Sequence, residues 1–255
     1  SFDPLDRKAL SGVSYNFLKM FQSHFEFVEV IGPVNNRKIL KGFLSRFLRK
    51  FPRRYNLDHS YLLSYLYALE FNKKLKGKEF DFIFAPRASS EIALLKTDIP
   101  IIYLSDATFD SLYGYYEWFS NFMQISIREG NKIEQLALNK AAICIFTSEW
   151  AANSAISKYR IDPLKIHRLP FGPNMDNIPT QQLSLNNKQR DVCKLLFLGV
   201  EWERKGGAVA FDTMIELKKR GIKSSLTVCG CIPPDTYHDD DLTVIPFLNK
   251  NNPED

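Results

Sequence analysis

The stretch LLFLGVEWERKGGAVAFDTMIELKKRG, residues 195–221, reads as one repeating unit of a parallel sheet. Its apolar opening is a strand that ends at Gly199, a short loop carries Arg204 and Lys205, and a helix begins at Gly206 and Gly207. Gly221 fits the position just past that helix, where a left-handed backbone costs glycine least. Small residues at the turn let backbone N–H groups approach an anion, the helix N-terminus adds partial positive charge, and the two cations supply charge-assisted hydrogen bonds. Those features describe a cradle for a diphosphate; the plainer alternative is a pair of solvated loop cations. The spacing matches neither GxGxxG nor GxxxxGK followed by Ser or Thr, so a Rossmann dehydrogenase and a P-loop NTPase both lose support.

The same alternation extends outward through the chain. Short runs rich in Ile, Val, Phe and Leu predict strands near 25–31, 80–84, 100–104, 142–147, 166–170, 194–199, 224–229 and 242–247. Helical patterns fall between them at about 13–23, 38–50, 58–75, 89–95, 125–141, 149–159 and 207–220. Strands alternating with helices are the pattern of βα units around a mainly parallel sheet. Residues 172–192 are rich in Asn, Gln, Pro and Ser and nearly aperiodic, and they read as a linker. The expected organisation is therefore a first Rossmann-like domain over residues 1–171 and the start of a second over 193–255.

Both ends read as interrupted. No strand feeds the polar loop SFDPLDRKALSG ahead of Gly12, and Asn252, Pro253, Glu254 and Asp255 carry the signals of a helix start. The first domain is expected to lack its leading strand and the second to be incomplete.

Composition narrows the class without naming a partner. Lys and Arg number 34 against 29 Asp and Glu, a formal charge of +5, and 45% of residues are hydrophobic with 25% charged. This is ordinary globular usage, unlike disordered or collagen-like chains. No run of about 18 apolar residues exists, and the chain does not open on a signal-peptide pattern. Cys144, Cys193, Cys229 and Cys231 sit mostly in apolar strand-like runs, which predicts free thiols and a reducing, cytoplasmic setting.

The strand ending in glycine, then ERKGG, then a helix closed by KKRG, resembles the start of the nucleotide-binding domain in GT-B glycosyltransferases of the retaining family 4. DPLDRKALSGVSYNFLKMFQ looks like that family's first loop and helix, IFTSEWAANSAI like a strand, Ser-Glu pair and helix late in the acceptor domain, and HRLPFGPNMD like the lead into the linker. VCGC and VIPFLNKNNPED resemble the next strands of the second domain. The resemblance implies an α/β chain of two Rossmann-like domains, a nucleotide-diphosphate sugar as donor substrate, no cofactor and no essential metal. It further implies that Arg204 and Lys205, with Gly206 and Gly207, hold the departing diphosphate, and that Gly12 lets the first loop approach donor or acceptor. The chain departs from the family in two places. No two glutamates stand eight positions apart as the family's Glu-x7-Glu requires, and the family's acceptor-domain histidine is replaced by the stretch IIYLSDATF.

Asp106 follows the strand at 100–104, where α/β folds place ligand groups, and is the catalytic candidate of the first domain. Capping the next helix is its competing use, and Glu149 has the same two readings. RKILKGFLSRFLRKFPRR, residues 37–54, holds eight cations and no acid over a helical apolar stripe. Such a helix can lie on an anionic membrane, with Arg46, Arg49, Lys50, Arg53 and Arg54 in contact, or pack its stripe on the sheet. Tyr113, Tyr115, Tyr116, Trp118 and Phe119 can stack on a sugar or a base, or pack under a loop. The four histidines are scattered, and CxxC, HExxH and GxSxG are all absent.

The expected activity is retaining transfer of a sugar from a nucleotide-diphosphate sugar to a glycan or lipid-linked acceptor, at the cytoplasmic face of a membrane and without nucleic acid. The alternative is a noncatalytic, membrane-surface scaffold of the same architecture.

Overall fold

The computed structural model describes residues 3–34, 52–174, 191–249 and 251–252. The chain is α/β and separates into two compact units, Ser1–Pro173 and Asn174–Asp255, each built on its own parallel sheet. The expected helix at 38–50, most of the expected linker and the helix start at Pro253, Glu254 and Asp255 lie outside the described residues.

In the first unit, β1 (Ile83–Pro86), β2 (Ile101–Ser105), β3 (Ile143–Phe146) and β4 (Ile166–Arg168) lie side by side in chain order, all parallel. All four carboxyl ends therefore open on one edge. Helices α1 (Val13–His24), α2 (Tyr61–Leu75), α3 (Ser89–Ile92), α4 (Phe109–Leu112), α5 (Gln124–Lys140) and α6 (Glu149–Ser157) surround the sheet. The buried positions of α5 are Ser126, Gly130, Ile133, Glu134, Ala137 and Leu138, a helical stripe that joins Tyr103, Cys144 and Phe146 in the core. Helix α1 packs by its rings instead: Phe17 and Phe21 meet Phe84 at 5.0 and 4.8 Å between centroids, and Phe25 meets Phe82 at 5.4 Å.

The strand expected at 25–31 does not form, and β1 starts at Ile83, three residues later than predicted. The apolar residues of both runs contact through side chains rather than through a backbone ladder. Phe27 stacks on Phe80, Ile31 reaches the core, and the Ile31 carbonyl accepts from Lys74 Nζ at 2.7 Å.

In the second unit, β5 (Cys193–Leu198), β6 (Ser224–Cys229) and β7 (Leu242–Ile245) are parallel and adjacent in that order. The one-turn helix α7 (Trp202–Lys205) leads directly into α8 (Gly207–Lys219). Phe197, Trp202, Phe211, Met214, Leu226 and Val228 form the core between α8 and one sheet face. Leu196 and Leu198 alternate onto the opposite face and are exposed. All four cysteines are free thiols. Among the described residues no helix is long and apolar enough to cross a membrane.

Candidate functional site

The carboxyl end of β5 is shaped by three close approaches. Gly230 has φ of +107°, and a Cβ there would lie 2.9 Å from the Gly199 carbonyl oxygen, so the ends of β5 and β6 can converge only without that side chain. A Cβ on Gly199 would sit 3.1 Å from Cγ of Lys205, which places the lysine stem against the strand end. Gly206 turns the chain at φ +78°, ψ +36°, and α8 begins with no side chain capping it. Arg204, Lys205 and the open start of α8 therefore meet in one turn at the carboxyl end of a parallel strand, the position where helix dipole and backbone N–H groups favour an anion.

Two details differ from the sequence reading. The missing side chain of Gly207 does not face a ligand: a Cβ there would fall within the Trp202 indole, so this glycine is small to seat a buried ring. Arg204 is also already engaged. Its Nε and Nη2 donate to the two carboxylate oxygens of Glu201 at 2.9 and 2.8 Å, a bidentate fork that holds the Glu201 carboxyl below its usual range. Glu201 was missed as a site residue, although its i, i+3 spacing to Arg204 is visible in the sequence.

In the first unit, Asp106 stands beyond β2 and forms an ion pair with Arg87, beyond β1, at 3.3 Å. It does not cap the following helix. Thr108 does, its hydroxyl accepting from Ser111 N at 3.2 Å while Ser111 Oγ accepts from Thr108 N at 3.0 Å. Arg87 occupies the left-handed region at φ +51°, uncommon for a long side chain. Glu149 follows the true cap Ser148 at the start of α6 and is ion-paired to Arg168 at the end of β4. The carboxyl edge of this sheet thus carries two closed ion pairs, Arg87–Asp106 and Glu149–Arg168. Gly12 is buried at φ +88°, at the head of α1, and its carbonyl accepts from Asn16 Nδ2 at 3.0 Å.

Of the expected membrane contacts, Arg46, Arg49 and Lys50 lie outside the described residues and Arg53 is exposed. Arg54 has a structural use. Its Nη2 donates to the carbonyls of Glu117 and Ser120 at 2.8 and 2.7 Å, and its backbone bridges to Phe122. Arg54→Gln is expected to cost about 1 kcal/mol and to speed amide exchange over residues 114–120 while the sheet amides keep their protection. Unchanged exchange in that loop would show the contacts to be idle.

Among the described residues, no group of His, Cys, Asp or Glu side chains is placed to hold a metal ion.

No known family model matches the chain, and no curated protein matches it. Among solved structures, the chain is similar to the UDP-N-acetylglucosamine 2-epimerase from Rickettsia bellii, at 11% identity and a TM-score of 0.44. That match covers 92% of this chain and 65% of the epimerase chain.

Proposed function

We propose that the chain is part of a retaining GT-B glycosyltransferase resembling family 4, and that Arg204, Lys205 and the start of α8 bind the diphosphate of a nucleotide-sugar donor. The observation that carries this reading is the position of Arg204 and Lys205 at the end of α7, immediately before the uncapped start of α8 and beyond the carboxyl end of β5. In such a reaction negative charge grows on the departing diphosphate. Fixed cations and oriented N–H groups stabilise that charge more than they stabilise the bound donor. Glu201 keeps the Arg204 fork in place until the diphosphate displaces it. Asp106, steadied by Arg87, is the group proposed to orient the acceptor hydroxyl, and Gly12 the turn that lets the first loop approach a substrate. Neither a cofactor nor a metal enters this scheme.

The occupied Arg204 fork also favours a second reading, a noncatalytic scaffold in which Glu201 neutralises the cation permanently. Calorimetric titration with UDP, GDP and ADP separates the two. On the transferase reading, Arg204→Ala weakens the best-binding nucleotide about ten- to hundredfold, equivalent to roughly 1.5–3 kcal/mol for charge-assisted contacts. Arg204→Lys weakens it less, because it keeps the charge but loses the planar fork. Glu201→Gln tightens binding several-fold by releasing that fork. If none of these variants changes the affinity, the loop is not a diphosphate site.

The acceptor is proposed to be a glycan or lipid-linked sugar, reached from the cytoplasmic face of an anionic membrane by the basic stretch at 37–54 without Arg54. Salt-reversible sedimentation with anionic liposomes, reduced on replacing Arg46, Arg49, Lys50 and Arg53 by Gln, is the expected behaviour.

A further inference from the structure

The aromatic run after α4 divides into two layers. Phe119 is buried with Phe109 and Phe122, and Tyr113 and the half-buried Tyr116 pack against them. Tyr115 and Trp118 are 65% and 52% exposed, and they are joined by Trp150 from the first turn of α6, 47% exposed. Ring contacts connect these through Tyr116: Trp150 meets Tyr115 at 5.5 Å with planes tilted by 50°, Tyr115 meets Tyr116 edge-on at 4.8 Å, and Tyr116 stacks on Trp118 at 5.5 Å with planes within 14°. Large aromatic side chains left this open are unusual when they form a contiguous patch.

The row is held in place from behind. Arg54 ties down the carbonyls of Glu117 and Ser120, Ser120 Oγ donates to the Tyr116 carbonyl at 2.6 Å, and Gly114 N donates to the Phe119 carbonyl at 3.1 Å. A surface already ordered loses less entropy when something binds it. Its charge is also balanced. On the elements that carry the rings, Glu149 is paired with Arg168 and Asp110 with Lys158, the Arg54 guanidinium is committed to carbonyls, and the exposed Glu117 precedes Trp118.

We propose that the exposed rings of Trp150, Tyr115 and Trp118, the last backed by Tyr116, form a stepped binding surface for a neutral pyranose chain. The apolar C–H faces of the sugar would stack on the rings, and its hydroxyls would bond to the neighbouring carboxylates and phenols. A phosphate-bearing polymer or anionic bilayer would meet Glu117 directly beside Trp118, while the exposed Arg53 stands next to Arg54, off the elements that carry the rings. A sugar chain presents the alternating apolar and hydroxyl surface that tyrosine and tryptophan complement. The acceptor role of this platform rests on the transferase reading, whereas the binding itself does not.

The test is titration of this chain with cellohexaose, whose β-linked rings expose flat C–H faces, followed by calorimetry and tryptophan fluorescence. No nucleotide is present, so its outcome is independent of the diphosphate site. Saturable binding is expected. Trp118→Ala and Trp150→Ala should each weaken it about three- to tenfold, and Tyr115→Phe, which keeps the ring, should change it little. Circular dichroism melts confirm that these surface variants fold. Absence of saturable binding up to about 10 mM, or alanine variants that bind like the parent, would overturn the proposal. Ring-dependent binding to phosphatidylcholine vesicles or to oligothymidine would overturn it as well, by assigning the platform to a membrane or to nucleic acid.

Discussion

Gly207→Ala is expected to destabilise the second unit by about 3 kcal/mol. Helix propensity alone gives the opposite sign, because exchanging glycine for alanine within a helix normally gains about 0.5–1 kcal/mol. The loss arises from Trp202. Its ring is 5% exposed, touches Phe197 and Tyr237 at centroid distances of 5.3 and 5.1 Å, and fills the space a Cβ on Gly207 would need. A buried indole wedged between two rings cannot swing aside as an exposed side chain can, so α8 must shift off the sheet. Amide protection in Cys193–Leu198 and Ser224–Cys229 should fall about a hundredfold under conditions where exchange reports stability. The control is Gly206→Ala, which meets open space and pays only for its left-handed backbone, about 1–2 kcal/mol. In a Trp202→Leu background the Gly207→Ala cost should drop below about 1 kcal/mol, a coupling that identifies the ring as its origin. Equal costs in both backgrounds would refute the steric account and leave Gly207 free for an anion-facing role.

That glycine shows where sequence reading reaches its limit. Alternation of apolar runs with helical periods is enough to place β2 to β7 within two residues at each boundary, because each of those runs finds a parallel partner in its sheet. Residues 25–31 carry the same composition, yet their aromatic rings satisfy them without a ladder partner. Composition reports which side chains must leave water and is silent on whether the backbone finds a strand beside it. The paired glycines after Lys205 suit an anion cradle and a ring seat equally well, and only the position of Trp202 tells them apart at Gly207. The Arg204–Glu201 pair is marked in the sequence by its i, i+3 spacing, although the reading of the loop picked out only the cation. By contrast, nothing local marks Arg54 as the clamp on a loop more than sixty residues away, or Arg87 as the partner of Asp106. The Arg87–Asp106 contact is created by the pairing of β1 with β2, and the Arg54 contact by an isolated bridge to Phe122; neither has a periodic signal.

The second large effect concerns Glu134, which lies 2% exposed on the core face of α5. It accepts a hydrogen bond from Tyr103 Oη at 3.1 Å, and Ser89 is also in hydrogen-bonding reach. Desolvation by burial pushes its carboxyl from 4.5 up to about 7, against the smaller lowering effect of the Ser89 and Tyr103 hydrogen bonds. Its charge in turn reaches Tyr103 and Tyr159, both raised mainly by their own burial, and Cys144, lifted to about 11 by burial despite the opposing Lys165. The folded state therefore binds the Glu134 proton more tightly than the unfolded state does. Between pH 4.5 and about 7 the unfolded chain holds fewer protons, so this group's contribution to stability falls as pH rises. Below 4.5 both states are protonated and nothing is lost; above about 7 the loss reaches its full size, about 3 kcal/mol. Glu134→Gln keeps an acceptor for Tyr103 and an N–H donor while removing the ionisation. Urea midpoints of parent and variant should nearly coincide near pH 4.5 and separate as pH increases, with the glutamine variant the more stable by about 2–3 kcal/mol above neutrality. At neutral pH and below, where the coupled Tyr103, Tyr159 and Cys144 stay protonated, taking the difference between the two proteins cancels the other titrating groups. A gap that stays constant with pH, or one that widens toward acid, would mean that Glu134 is ionised in the folded core and stabilised by a partner other than Tyr103 and Ser89.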